Sequence, residues 1–207
     1  MPTIQLEPNS RTARAVVVLD SNLRDAAVLR RGVDPDALAI GLHSGADGLV
    51  QIAEVVAGLA GLTSLTIVAH GAPGGLELGQ THLDTACVLQ SGATALAAIG
   101  RSLATDGMVQ LVACDVAAGV DGRLFIQALA NALGTTVCAS TRPMGCGAAG
   151  SEWELDAWAS PWRHTSQPMA NLPIAAEARA AYAHPLAAAD PTVIEDGSAE
   201  ARPHRRV

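Results

Sequence analysis

Lysine is absent from this 207-residue sequence, and all 13 basic residues are Arg. Schiff-base chemistry and a phosphate-cradling loop that ends on lysine both need that amine, so both are excluded. With 20 acidic residues the net charge is −7, which argues against a nucleic-acid partner held by a basic surface. Aromatic residues amount to 2% while hydrophobic residues make up 49%, so the core has to be built from Ala, Val, Leu and Ile. That composition suits helices packed on a buried parallel sheet. Cysteine is also scarce: Cys87, Cys114, Cys138 and Cys146 contain no Cys-x-x-Cys pair, leaving a disulfide framework or a structural zinc site without support. Apolar runs are broken by Gly, Asp, Arg or Gln before the roughly 18 residues that a transmembrane helix takes, so no membrane span is expected. Residues 1–10 lack the basic and apolar regions of a signal peptide.

What is present alternates between short β-branched runs and helical patterns, the signature of βα units around a parallel sheet. The apolar run 15–19 reads as a first strand, and Asp20 or Ser21 can cap a helix that continues through Leu29 to a stop at Gly32. Residues 37–42 form a second strand and 48–59 a helix with apolar positions in helical spacing. A third strand, 64–69, runs into the sequence His-Gly-Ala-Pro-Gly-Gly at 70–75, expected to be a loop. A small hairpin over 76–83 precedes a helical region reaching 104, with Gly92 a candidate break. Strand 108–113, helix 120–133 with its stop at Gly134, strand 135–139, a Gly-rich loop over 140–150 and an edge strand over 153–158 follow. The expected architecture is an α/β domain over 14–162, with a mainly parallel central sheet of about six strands and helices on both faces. Residues 163–207, rich in Pro and Ala, read as a linker or partly disordered tail with a short helix over 175–182.

In such a sheet, reactive groups collect at the carboxyl ends of neighbouring strands. His70 ends the third strand and Cys114 the strand over 108–113, so an imidazole and a thiol emerge on one rim. Each alone is a common structural residue, since a Cys ending a buried strand packs as a small hydrophobe and His-Gly is an ordinary strand end. Together they fit a cysteine nucleophile: the imidazole and the following helix N-terminus favour thiolate, and the Gly71 and Cys114 N–H groups can bind an oxyanion. Gly71 has no Cβ to obstruct a substrate backbone. His43 and Asp47 have no third ligand at useful spacing, so no metal is expected. The glycines over 71–79 do not have dinucleotide-binding spacing, and no cofactor is called for. Trp153, Trp158 and Trp162 read as packing residues and Cys138 as core, while Cys146 stands open between a disulfide and a free thiol.

The runs Ile-Val-Ala-His-Gly-Ala-Pro-Gly at 67–74, Leu-Val-Ala-Cys-Asp-Val-Ala-Ala-Gly at 111–119 and Trp-Glu-Leu at 153–155 carry a resemblance. Over about residues 14–159 the chain resembles the bacterial family called domain of unknown function 4347, whose members are similar to the caspase-like cysteine peptidases. That resemblance implies a caspase-like three-layer sandwich, with Cys114 as nucleophile and His70 as the catalytic histidine. It further implies a Cys–His endopeptidase, with self-processing of a larger exported, adhesin-like polypeptide as one form. The alternative is a non-catalytic interaction module on the same fold with a degenerate site. Asp115 stands where members often carry Asn, and is expected to turn outward or pair with an Arg so that its charge does not oppose the thiolate. Arg142 and Ser140, in the loop where caspase-like enzymes build substrate pockets, are the candidate substrate-binding residues. An Arg142 pocket would favour an acidic residue before the cut, which makes the chain's own tail at Asp190, Glu195 or Asp196 the expected polypeptide substrate.

Overall fold

The computed structural model describes residues 13–145, 153–162 and 171–188. Its main sheet has six strands in the order β2-β1-β3-β7-β8-β9. These are β1 (Ala15–Leu19), β2 (Ala37–Gly41), β3 (Leu62–Val68), β7 (Leu103–Val112), β8 (Thr136–Ala139) and β9 (Ala157–Ala159). All neighbours pair in parallel except β9, which closes the edge antiparallel to β8. The β-branched runs of β1 and β3 are buried on both faces, as strands covered by two helix layers must be.

Side-chain alternation sorts the core into two clusters, with Val16 and Val18 on one face of β1 and Val17 and Leu19 on the other. The first face is covered by α2 (Gly48–Val56), α4 (Ala93–Ser102) and α5 (Gly119–Leu133), through residues such as Ile52, Ile99 and Phe125. Burying each of these large side chains contributes about 1.5–3 kcal/mol. The second face is covered by α1 (Ala26–Arg31) and by residues near the C-terminal end of the described chain. Helices on both faces of a six-stranded, mainly parallel sheet make the expected α/β sandwich.

Several local expectations are corrected. Asp20 caps no helix: its buried carboxylate accepts the N–H groups of Asn22 (2.9 Å) and Gly79 (2.6 Å), and α1 starts only at Ala26. The expected loop after β3 contains a strand, β4 (His70–Ala72), which joins β5 (Gly75–Leu78) and β6 (Thr81–Asp84) in a separate antiparallel sheet. The helical region after the hairpin divides at 90–92 into α3 (Thr85–Leu89), capped by Asp84, and α4. The edge strand shortens to β9.

The largest difference lies beyond residue 162. Residues 171–188 return to the second face of the sheet, where Ile174, Tyr182 and Leu186 are all buried, so the expected domain end at 162 cuts through a packed core. Gln110, buried in β7, accepts the Thr66 hydroxyl (2.6 Å) and donates to the Asn171 carbonyl (3.1 Å), pinning the start of this segment. The short helix α6 (Ala176–Ala181) then packs on α1. Their approach is so close that a Cβ on Gly32 would fall 2.1 Å from that of Ala178.

Candidate active site

Three adjacent strands lead to three polar or titratable side chains at one rim. Register pairs Leu19 with Val68 and Val68 with Val112, so Asp20, His70 and Cys114 follow on the ends of β1, β3 and β7. The backbone holds them there: Asp20 N–H donates to the Val68 carbonyl (2.9 Å) and Ala69 N–H to that of Val112 (3.2 Å). His70 and Cys114 each lie two residues past the paired valines, and the Cys114 side chain packs in the cluster on the second face. The structure thus sets the backbone of Gly71 against that of Cys114, with His70 the residue before Gly71 and Asp20, on the third strand end, acting on the His70 charge.

His70 is half-buried, and desolvation lowers its pKa below the ordinary histidine value. Asp20 opposes that shift, Arg24 adds to it and Glu77 opposes it. Its imidazole is therefore neutral at neutral pH, able to accept a proton. The Cys114 thiol is buried, and burial raises its pKa. The N–H groups of Met144 and Leu186 lower it in part, while the Asp115 charge raises it further. In this resting geometry the sulfur does not bond His70. It donates to the Met144 carbonyl (3.2 Å) and accepts the Met144 N–H (3.1 Å).

The candidate oxyanion donors are already engaged. Gly71 N–H (2.9 Å) and Cys114 N–H (3.0 Å) converge on a single oxygen, the carbonyl of Leu186. Two backbone donors at this distance on one carbonyl oxygen are what acyl-transfer chemistry needs. Gly71 is required for the approach, because a Cβ there would lie 2.9 Å from the Cys114 carbonyl and 2.8 Å from the Ala113 Cβ.

Asp115 has a left-handed backbone (φ 57°), is half-buried, and its own pKa is raised by desolvation. Its N–H donates to the Arg142 carbonyl (3.1 Å), and among the described residues no salt bridge joins its carboxylate to an Arg, which leaves the outward-turned arrangement of the two expected. Asn tolerates this conformation and carries no charge, so Asp115→Asn should speed Cys114 alkylation at fixed neutral pH by roughly 2–5-fold without loss of stability. Alkylation kinetics followed by peptide mass mapping measure this; an unchanged rate would remove Asp115 from the electrostatics of the thiol.

Arg142 and Ser140 both bond within their own loop and to its neighbouring strand end. The Arg142 guanidinium meets Asp156 (3.2 Å) and Glu154 (3.7 Å) at the surface. Burial pushes the Asp156 carboxyl up, but the Thr141 hydroxyl and N–H together with Arg142 outweigh it and hold it below the ordinary carboxylate range. Ser140 is buried, its hydroxyl accepting the Arg142 N–H (3.1 Å) and its carbonyl the Ala117 N–H (2.9 Å). Cys138 is core, with its thiol pushed up to about 11 by burial. Cys146 lies outside the described residues.

Sequence reasoning passed over Asp20, Met144 and Leu186 as site residues. The strand-end rule that points to His70 and Cys114 applies equally to Asp20, whose place before a helical pattern gives it the look of a helix cap. Met144 and Leu186 act through backbone groups and carry no chemical signature.

A family model described as Domain of unknown function (DUF4347) matches residues 16–186, most of the chain, and the chain belongs to that family. The match includes residues 171–186. No curated protein and no solved structure matches the chain.

Proposed function

We propose that this DUF4347 member is a Cys–His endopeptidase of caspase-like type, a hydrolase acting on polypeptides. The observation that carries the reading is the convergence of the Gly71 and Cys114 N–H groups on one carbonyl oxygen. In the reaction, the thiol proton passes to the neutral imidazole as sulfur bonds to the carbonyl carbon, and the two N–H groups hold the oxyanion. The C–N bond then breaks, and His70 returns the proton to the leaving nitrogen. Water hydrolyses the thioester, releasing a carboxylate and restoring the thiol. Asp20, whose charge favours imidazolium, stabilises the proton on His70 between these steps.

A second reading, the non-catalytic interaction module, is favoured by one observation: the resting thiol is buried and turned to Met144. Alkylation of Cys114 by iodoacetamide across pH separates the two, with half-buried Cys87 as internal reference. For the peptidase, the Cys114 rate climbs with pH toward its raised thiol pKa. At neutral pH His70→Ala should slow it by about 10²-fold, the scale of general-base assistance. A Cys114 that stays inert at alkaline pH while Cys87 reacts, or one indifferent to His70, would favour the module.

A further inference from the structure

The oxygen held by Gly71 and Cys114 belongs to the chain itself. Residues 185–188 run along Gly145 and Gly71, bonded on both sides of one peptide bond. On the N-terminal side, Leu186 N–H donates to the Met144 carbonyl (3.0 Å), and Pro185 pairs antiparallel with Gly145. On the C-terminal side, Ala188 N–H donates to the Gly71 carbonyl (2.9 Å), and Ala187 pairs in parallel with Gly71. Between them stands the Leu186 carbonyl in the two-donor site, with the bond to Ala187 next in the chain.

The surroundings are cut to this peptide. The Leu186 side chain is fully buried, in the same apolar cluster as Val68, Val112, Cys138 and Met144. Gly145 has φ +95°, and a Cβ there would lie 2.3 Å from the His184 carbonyl oxygen, so only glycine lets the segment sit so close. Upstream, buried Tyr182 packs edge-on against Trp153 (6.1 Å) and His184 (5.6 Å). His184 Nε2 also reaches Asp25 (2.8 Å).

We infer that this peptide is the enzyme's first substrate: Cys114 cuts the Leu186–Ala187 bond of its own chain, and the site takes peptides with a leucine-sized apolar residue before the cut. The inference rests on the peptidase reading above and names its substrate. Sulfur bonds to the Leu186 carbonyl carbon, the Leu186–Ala187 C–N bond breaks, and the thiol proton ends on the new Ala187 amine. Water then releases a Leu186 carboxylate and regenerates the thiol. This replaces the acidic preference expected from Arg142, whose guanidinium meets Asp156 and Glu154 instead. Asp190, Glu195 and Asp196, the expected cutting points, lie outside the described residues.

The test is the intact mass of the full chain over time, at several protein concentrations. Wild type should yield one product ending at Leu186 and one beginning at Ala187, at a rate independent of concentration. Leu186→Asp would place a carboxylate in an apolar site and should slow the cut at least about 100-fold. Because that change can also disturb folding, Ala187→Pro is the companion. The pairing with Gly71 is made by the Leu186 carbonyl and the Ala188 N–H, so proline at 187 removes no bond from it. It should fold with an unchanged circular dichroism spectrum and remain uncut. A Cys114-dependent cut at any other bond, or a rate rising with concentration, would overturn the inference and leave the peptidase standing. No cut, with a Cys114 thiol that His70 still activates toward iodoacetamide, would do the same. No cut with an inert thiol would overturn both.

Discussion

Cys114→Ala should lower peptide-bond cleavage by at least about 10³-fold, because the acyl intermediate of this mechanism forms on its sulfur. The fold should survive. The sulfur contributes two contacts to Met144 and fills a small volume, so its loss costs about 1 kcal/mol. Cleavage rates followed by mass, with thermal melts beside them, separate the two effects. A variant that cleaves within tenfold of wild type would move the nucleophile elsewhere, whereas one that fails to fold would make Cys114 a core residue first.

The second large effect is expected at a position with no side chain. In Gly71→Ala the new Cβ would sit 2.7 Å from Val116 Cγ2, 2.8 Å from Ala113 Cβ and 2.9 Å from the Cys114 carbonyl oxygen. Two of these are core atoms and one is backbone, so β4 has to move, at a cost of about 1–3 kcal/mol. Displacement carries the Gly71 N–H away from the carbonyl it holds at 2.9 Å, and loss of one oxyanion donor lowers the rate by about 10²–10³-fold. Gly45→Ala is the control: its Cβ meets nothing within 4 Å, and both rate and melting temperature should stay near wild type. If Gly71→Ala destabilises the protein yet cleaves at the wild-type rate, Gly71 packs the sheet and takes no part in the chemistry.

The strands that lead to His70 and Cys114 were legible because their apolar runs end abruptly at a His or Cys followed by a polar or Gly residue, and the strand-end rule then joins two residues 44 apart in the chain. Gly71 was legible for the same reason. β4 was not, since three residues have no period of their own and owe their strand conformation to pairing with β5. The late start of α1 was hidden because the Asp20 carboxylate binds the N–H of Gly79, a hairpin residue 59 positions away. Residues 171–188 gave the weakest signal. Their burial comes from contacts with Trp153, Gln110, Met144 and Gly71, and Pro185 and a run of alanines read locally as a tail. Arg142 looked available for a substrate because its partners, Asp156 and Glu154, approach it only once β9 folds back on β8.

The central claim is covalent acyl transfer to Cys114, and an acid-quenched time course of the full chain addresses it most directly. If the account holds, the N-terminal product passes through a species one water lighter than the free acid ending at Leu186, a thioester between Cys114 and that carbonyl. Added hydroxylamine should convert it to the hydroxamate, and Cys114→Ala should show neither species. Release of the free acid by Cys114→Ala at the wild-type rate, or product formation by wild type with no lighter species and no hydroxamate at any hydroxylamine concentration, would contradict it.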